Sequence, residues 1–136
     1  MAVAIANGTA LVTSQVDWEA CAATPALAID TTTSPGNALL AAGYNTVAIV
    51  SQIYEFSPWD KWMFLSIAGT RQPNTAYFIR FRTAATEGAI AAATYSDYLD
   101  SIQADGSLGV NLRAWCLNNP AWATGAFIQW ELTIER

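Results

Sequence analysis

The sequence predicts an all-β fold: an antiparallel β-sandwich or jelly roll of about eight strands, preceded by an extended N-terminal arm. Three observations carry this. Apolar and polar residues alternate with period two in several segments, which is the pattern of a half-buried strand. Turn signals recur every 8 to 15 residues or so, the spacing of all-β sandwiches and barrels. The connections between candidate strands are too short or too polar for the helices of a βαβ plan. The expected organisation is an arm over residues 1–14 and a single sandwich domain over residues 15–136.

Residues 2–13 are small, weakly apolar and uncharged, and Asn7-Gly8-Thr9 reads as a turn. Such a segment cannot build a core alone; it reads as an extended arm or an edge strand, lying on its own domain or, the favoured reading, on a neighbouring subunit. Val16, Trp18 and Ala20 alternate with Asp17 and Glu19 and read as a strand. Residues 26–33 form a second short candidate, ended by the turn Ser34-Pro35-Gly36-Asn37. Residues 46–56, TVAIVSQIYEF, are rich in β-branched residues and read as one strand ended by Ser57-Pro58. Residues 62–68, WMFLSIA, are a near-continuous apolar run that suits a strand buried on both faces, with a buried helix the alternative that periodicity alone leaves open. In residues 75–83, Tyr77, Ile79 and Phe81 share the face expected to be inward, and Phe78, Arg80 and Arg82 share the other. Residues 84–100 are alanine-rich and read as a long connection with one short helix or strand. Residues 107–115 give a further strand candidate after the turn Asp105-Gly106. The last strand, residues 126–135, sets Ile128, Trp130, Leu132 and Ile134 on one face and Phe127, Gln129, Glu131, Thr133 and Glu135 on the other.

Composition narrows the function. Apolar residues make up 53% and charged residues 12%, against a usual charged share of about 25%. That excludes disorder, and predicts a surface either built from uncharged polar residues or covered by neighbouring subunits. Six basic residues against eleven acidic leave a net charge of −5, and Lys61 is the one lysine. Scattered arginines do not displace counterions from a phosphate backbone, so neither nucleic acid nor an anionic membrane is an expected partner. No apolar run reaches the length of a membrane span. Residues 1–14 lack the positive n-region of a secretion signal, so the protein is expected to stay where it is made or to leave by cell lysis or a dedicated route.

Histidine is absent. The commonest general base, the commonest metal ligand and every Ser–His or Cys–His pair go with it. The sequence is read as non-enzymatic and without cofactors. The remaining chemical candidates have bland readings. Asp97, Asp100 and Asp105 could offer oxygen ligands to calcium but lack the EF-hand spacing, and read as turn formers. Glu131 and Glu135, with Glu87 or Glu55, could supply a glycosidase pair but read as solvent-facing strand residues. Cys21 and Cys116 are 95 residues apart; they read as buried free thiols, with a disulfide as the other option.

Contact residues are a different matter. Ala2, Val3, Ile5 and Leu11 of the arm are the apolar candidates for lying on a neighbour. Trp59 and Trp122 sit beside Pro58 and Pro120 in loops and are the candidates for exposed aromatic contacts, with protein or with sugar. Trp18 and Trp130 are assigned to the core. Arg80 and Arg82 either pair with the Glu131–Glu135 face of a neighbouring strand or reach a second subunit.

The stretches FIRFRTAATEG, TYSDYLD, ADGSLGVNL and NNPAWATGAFIQWELTI, within residues 75–136, resemble β-sandwich domains of virion structural proteins from tailed bacteriophages. The closing-strand pattern G-x-F-x-Q-x-x-x-T falls on Gly125, Phe127, Gln129 and Thr133. The resemblance implies a capsid-decoration, tail or fibre-associated subunit, assembled in the host cytoplasm, that associates with itself or with other virion proteins. It carries over no catalytic residues. Similar sandwiches occur in carbohydrate-binding modules and adhesins, so a lectin-like glycan-binding domain is the alternative. On the first reading, removing residues 1–14 should weaken assembly and spare the fold.

Overall fold

The computed structural model describes residues 2–23, 25–30, 32, 36–68, 74–99 and 107–136. The chain is mostly β: 39% of the described residues lie in strands and 16% in helices, and every helix is short. The strands are β1 (Val3–Ile5), β2 (Ala22–Ala23), β3 (Leu27–Ile29), β4 (Ala38–Leu40), β5 (Thr46–Val50), β6 (Tyr54–Phe56), β7 (Phe64–Ile67), β8 (Ala76–Ala84), β9 (Leu108–Asn111) and β10 (Phe127–Glu135). The helices are α1 (Gln15–Glu19), α2 (Glu87–Ile90) and α3 (Leu112–Asn118), with a 3-10 turn at Pro120–Trp122.

β10 is the spine. One edge pairs along its whole length with β8, from Phe127↔Ala84 to Glu135↔Ala76. Its other edge takes β6 and then β5 in series. The expected single strand over residues 46–56 is therefore broken. Phe127 and Ile128 face Glu55 and Tyr54, whereas Glu131 faces Val50, so residues 51–53 lie opposite 129 and 130 as a bulge. Ser51 holds it: its N–H donates to the Trp130 carbonyl (2.9 Å), and its Oγ accepts from the Trp130 N–H (3.0 Å).

β1 pairs with β6 in parallel, the Val3 N–H donating to the Ile53 carbonyl at 2.7 Å and the Ser57 N–H to the Ile5 carbonyl at 3.0 Å. The sheet is therefore not the wholly antiparallel one expected, and the start of the arm takes the edge-strand place on its own domain rather than the favoured place on a neighbour. Val3, Ile5, Ala10 and Val12 pack against the core, because small apolar side chains there bury more against the sheet than in solvent. The turn at Asn7-Gly8-Thr9 forms, with Gly8 at φ +80° and the Asn7 side chain accepting from the Thr9 N–H at 3.2 Å.

Residues 16–19 are helix rather than strand, with Ala20 as its C-cap. Ser14 caps α1, and the Asp17 carboxylate accepts from the N–H groups of Thr13 (2.9 Å) and Ser14 (3.0 Å). This reciprocal cap satisfies orphan donors of the first turn, which outweighs a two-residue alternation. Residues 107–115 divide likewise. β9 ends at Asn111, whose side chain caps α3 by accepting from the Ala114 N–H at 3.0 Å.

The inner face of the sheet reads across its strands. Tyr77, Ile134 and Val47 form one row; Ile79, Leu132 and Ile49 the next; Thr83, Ile128 and Tyr54 another. Leu108 and Val110 of β9, and Leu112 and Cys116 of α3, join these in one core. Phe81 and Ile49 are fully buried. The Phe81 ring meets Trp115 edge-on at 5.4 Å, and Trp130 meets Trp18 of α1 at 6.2 Å. β7 is not buried on both faces as its composition suggested: Phe64 and Ser66 point to solvent while Leu65 and Ile67 are half-buried against the core.

Candidate functional site

Two surfaces stand out. The first is the outer face of β8 and β10, where Arg80 and Arg82 project. Arg80 and Glu131 are cross-strand partners, so their side chains meet: Nε to Oε1 is 2.9 Å. Burial alone would lower the Arg80 pKa, but the Glu131 hydrogen bond and charge outweigh it and raise it. Arg82 faces Gln129 and donates to its Oε1 from Nε (3.0 Å) and Nη2 (2.7 Å). Its Nη1 reaches the carbonyls of Ala91 (3.3 Å) and Ala93 (3.5 Å). Gln129 passes the chain on, donating to the Ser51 carbonyl at 2.8 Å. Both guanidinium groups lie over the Tyr95 ring, at 4.6 and 4.5 Å from its centre, and Tyr98 flanks Arg80 at 5.1 Å. Burial pushes the Tyr95 phenol up.

These contacts fix the connection after β8. α2 crosses the outer face. Residues 94–99 then run back along the β8 edge, with the Ser96 N–H on the Phe81 carbonyl (2.7 Å) and the Leu99 N–H on the Ile79 carbonyl (2.8 Å). A shallow depression of about 480 Å³ remains between α2, Ile53, Arg82 and Gln129. Its guanidinium is spent on fixed partners, so the arrangement latches a loop rather than presenting a charge. The nearby hydroxyls are engaged in the same way: Ser51 donates to the Gln52 carbonyl and Ser96 to the Asp97 carbonyl.

The second is a set of exposed apolar side chains. Val16 of α1 is 74% exposed, Leu11 69%, Phe64 65%, Met63 59% and Leu117 of α3 79%. Met63 immediately precedes Phe64, the first residue of β7, and the Phe64 ring lies over Gly109 of β9, where a Cβ would stand 3.2 Å from Cζ. The apolar run of residues 62–68 concealed this, since composition does not say which face is covered.

The predicted contact residues divide. Leu11 is exposed; Ala2, Val3 and Ile5 are half-buried in their own domain. Trp59 and Trp122 are not exposed platforms. Trp59 packs on Trp62 at 5.8 Å, and Trp122 packs on Trp115 at 5.6 Å while its indole N–H donates to the Thr94 carbonyl at 3.0 Å. Large rings beside prolines are drawn to the core for their area, even from loops. Cys21 and Cys116 are free thiols, both pushed up in pKa by burial. Asp97 is exposed; Asp100, Asp105 and the Asp105-Gly106 turn lie outside the described residues, as do Ser34 and Pro35. Among the described residues no three His, Cys, Asp or Glu side chains converge to hold a metal ion, and no helix is long and apolar enough to cross a membrane. No protein-family model matches the chain, and no curated protein or solved structure is significantly similar to it.

Proposed function

We propose that the chain is a structural subunit that acts by assembly: a virion component of the capsid-decoration, tail or fibre-associated kind, put together in the host cytoplasm. We read its fold as a sandwich-like block, with β7, β9 and α3 covering the inner face of the β8–β10 sheet. The observation that carries the assembly reading is the exposure of large apolar side chains in neighbouring positions, Met63 with Phe64 and Leu11 near Val16 in sequence. Single exposed apolar residues are ordinary on a monomer, whereas grouped ones mark contact surfaces. The virion part rests on the resemblance of residues 75–136. The glycan reading is weakened, because Trp59 and Trp122 spend their faces on Trp62 and Trp115.

Deleting residues 1–14 is no test, since it removes strand β1. Point substitutions are. Sedimentation velocity of the full chain should show species heavier than 14.6 kDa, and Leu11→Ser with Val16→Ser, or Met63→Ser with Phe64→Ser, should lighten them without changing the melting temperature. A monomer at every concentration that binds an oligosaccharide saturably, with loss of binding in Trp59→Ala or Trp122→Ala, would overturn the reading.

A further inference from the structure

We propose that Asn7 is a self-modifying site: in the turn Asn7-Gly8-Thr9 its side-chain amide is lost by deamidation, with water as co-reactant, leaving aspartate or isoaspartate in the arm. The inference does not depend on the assembly reading.

Three features of the turn favour the reaction. The attacking atom is the main-chain nitrogen of Gly8. Gly8 is exposed, and nothing stands within 4 Å of where a Cβ would be, so no side chain hinders that nitrogen. Among the described residues the Gly8 N–H has no hydrogen-bond partner, so solvent can take its proton without breaking a bond of the fold. The electrophile is the Asn7 side-chain carbonyl, whose Oδ1 accepts from the Thr9 N–H at 3.2 Å. That bond closes the side chain into a ring containing the Gly8 nitrogen. It also sets a donor on the oxygen where negative charge develops when Cγ is attacked.

The other six asparagines lack this combination. Each is followed by a residue that carries a side chain. The nitrogen after Asn111 donates to the Met63 carbonyl (3.1 Å) and the nitrogen after Asn118 to the Cys116 carbonyl (3.2 Å). Asn119 precedes Pro120, which has no N–H to lose.

The step balances as follows. Hydroxide removes the Gly8 amide proton, and the nitrogen lone pair forms a bond to Asn7 Cγ. The electron pair of the carbonyl moves to Oδ1, held by the Thr9 N–H. When it returns, the Cγ–Nδ2 bond breaks, and Nδ2 takes a proton from water and leaves as ammonia. Water then opens the cyclic imide. Breaking the new N–Cγ bond gives aspartate; breaking the original peptide bond gives isoaspartate, with the main chain running through Cγ. One water enters and one ammonia leaves. Either product adds one negative charge to a chain already at −5. The aspartate product keeps an acceptor for the Thr9 N–H. The isoaspartate product inserts an extra carbon into the main chain two residues after β1 ends at Ile5.

The test is peptide mapping by mass on the purified full-length chain, held at pH 8 and 37 °C for a month. The peptide carrying Asn7 should gain about one dalton and resolve into two products. Peptides carrying the other asparagines should convert more slowly by about tenfold or more, for want of the same alignment. Asn7→Gln keeps an amide but needs a six-membered ring, and Gly8→Ala sets a Cβ beside the nitrogen. Each should slow conversion at this turn by about tenfold or more, with both positions exposed and the melting temperature reporting the fold. No gain of mass at Asn7 overturns the proposal. So does conversion that is equally fast at the other asparagines, or that continues undiminished at this turn in both variants.

Discussion

The β8–β10 ladder and the β7–β9 ribbon are both antiparallel pairs, yet they are built for different ends. The first runs nine residues, is flanked on one side by β5 and β6 and on the other by residues 94–99, and carries the buried rows of the core. The second runs four residues, turns Phe64 to solvent and, among the described residues, pairs with no further strand. What separates them is coverage rather than hydrophobicity, since residues 62–68 are more apolar than β8, which carries Arg80 and Arg82. The ladder holds the block together; the ribbon presents apolar surface that the fold does not use.

That contrast can be broken at its strong end first. Gly125, just before β10, has φ +84°, and a Cβ there would collide with the Ala84 carbonyl. Gly125→Ala should cost more than about 4 kcal/mol in chemical denaturation, or prevent folding, since strain and overlap add. Phe81→Ala empties a fully buried site and should cost about 3–5 kcal/mol in the same assay. Arg82→Ala removes the bonds to Gln129, Ala91 and Ala93; we expect about 1–3 kcal/mol, with faster amide exchange confined to residues 87–99. Phe64→Lys should lie at the weak end, within about 0.5 kcal/mol of the parent by melting, while it disrupts association.

Two titrations sharpen the same division. Burial raises the Tyr54 phenol to about 12 from 10. A group whose pKa is raised on folding stabilises fully below its unfolded value, so stability should fall between pH 10 and 12, when the unfolded chain ionises first. Asp17 is lowered from 3.8 by the backbone hydrogen bonds of Thr13 and Ser14. Its contribution is present above 3.8 and lost below it, so acid should loosen α1 before the β8–β10 ladder. Amide exchange at pH 3 compared with pH 6 reads this directly.

How much of this was legible depends on the range of the interaction. β8 and β10 could be read because their alternation is long, and the Arg80–Glu131 pair followed from setting their outer faces side by side. The G-x-F-x-Q pattern has physical content: Gly125 fits where a Cβ would not, and Gln129 joins Arg82 to the Ser51 bulge. The caps of α1 and α3 were also in the sequence, as Ser14-x-x-Asp17 and Asn111, but a short apolar alternation masked them. The parallel pairing of β1, the bulge at residues 51–53 and the exposure of Met63 and Phe64 were not legible. Each depends on which distant segment lies alongside, and local pattern does not carry that.

The central claim is that a rigid block presents apolar surface to other subunits. Its most direct test is the absolute mass of the purified full-length chain by light scattering across a hundredfold range of concentration. The account predicts a mass that rises from 14.6 kDa to a defined multiple, and falls back when Phe64 is replaced by Lys. A constant 14.6 kDa at every concentration, unchanged by that substitution, would contradict it.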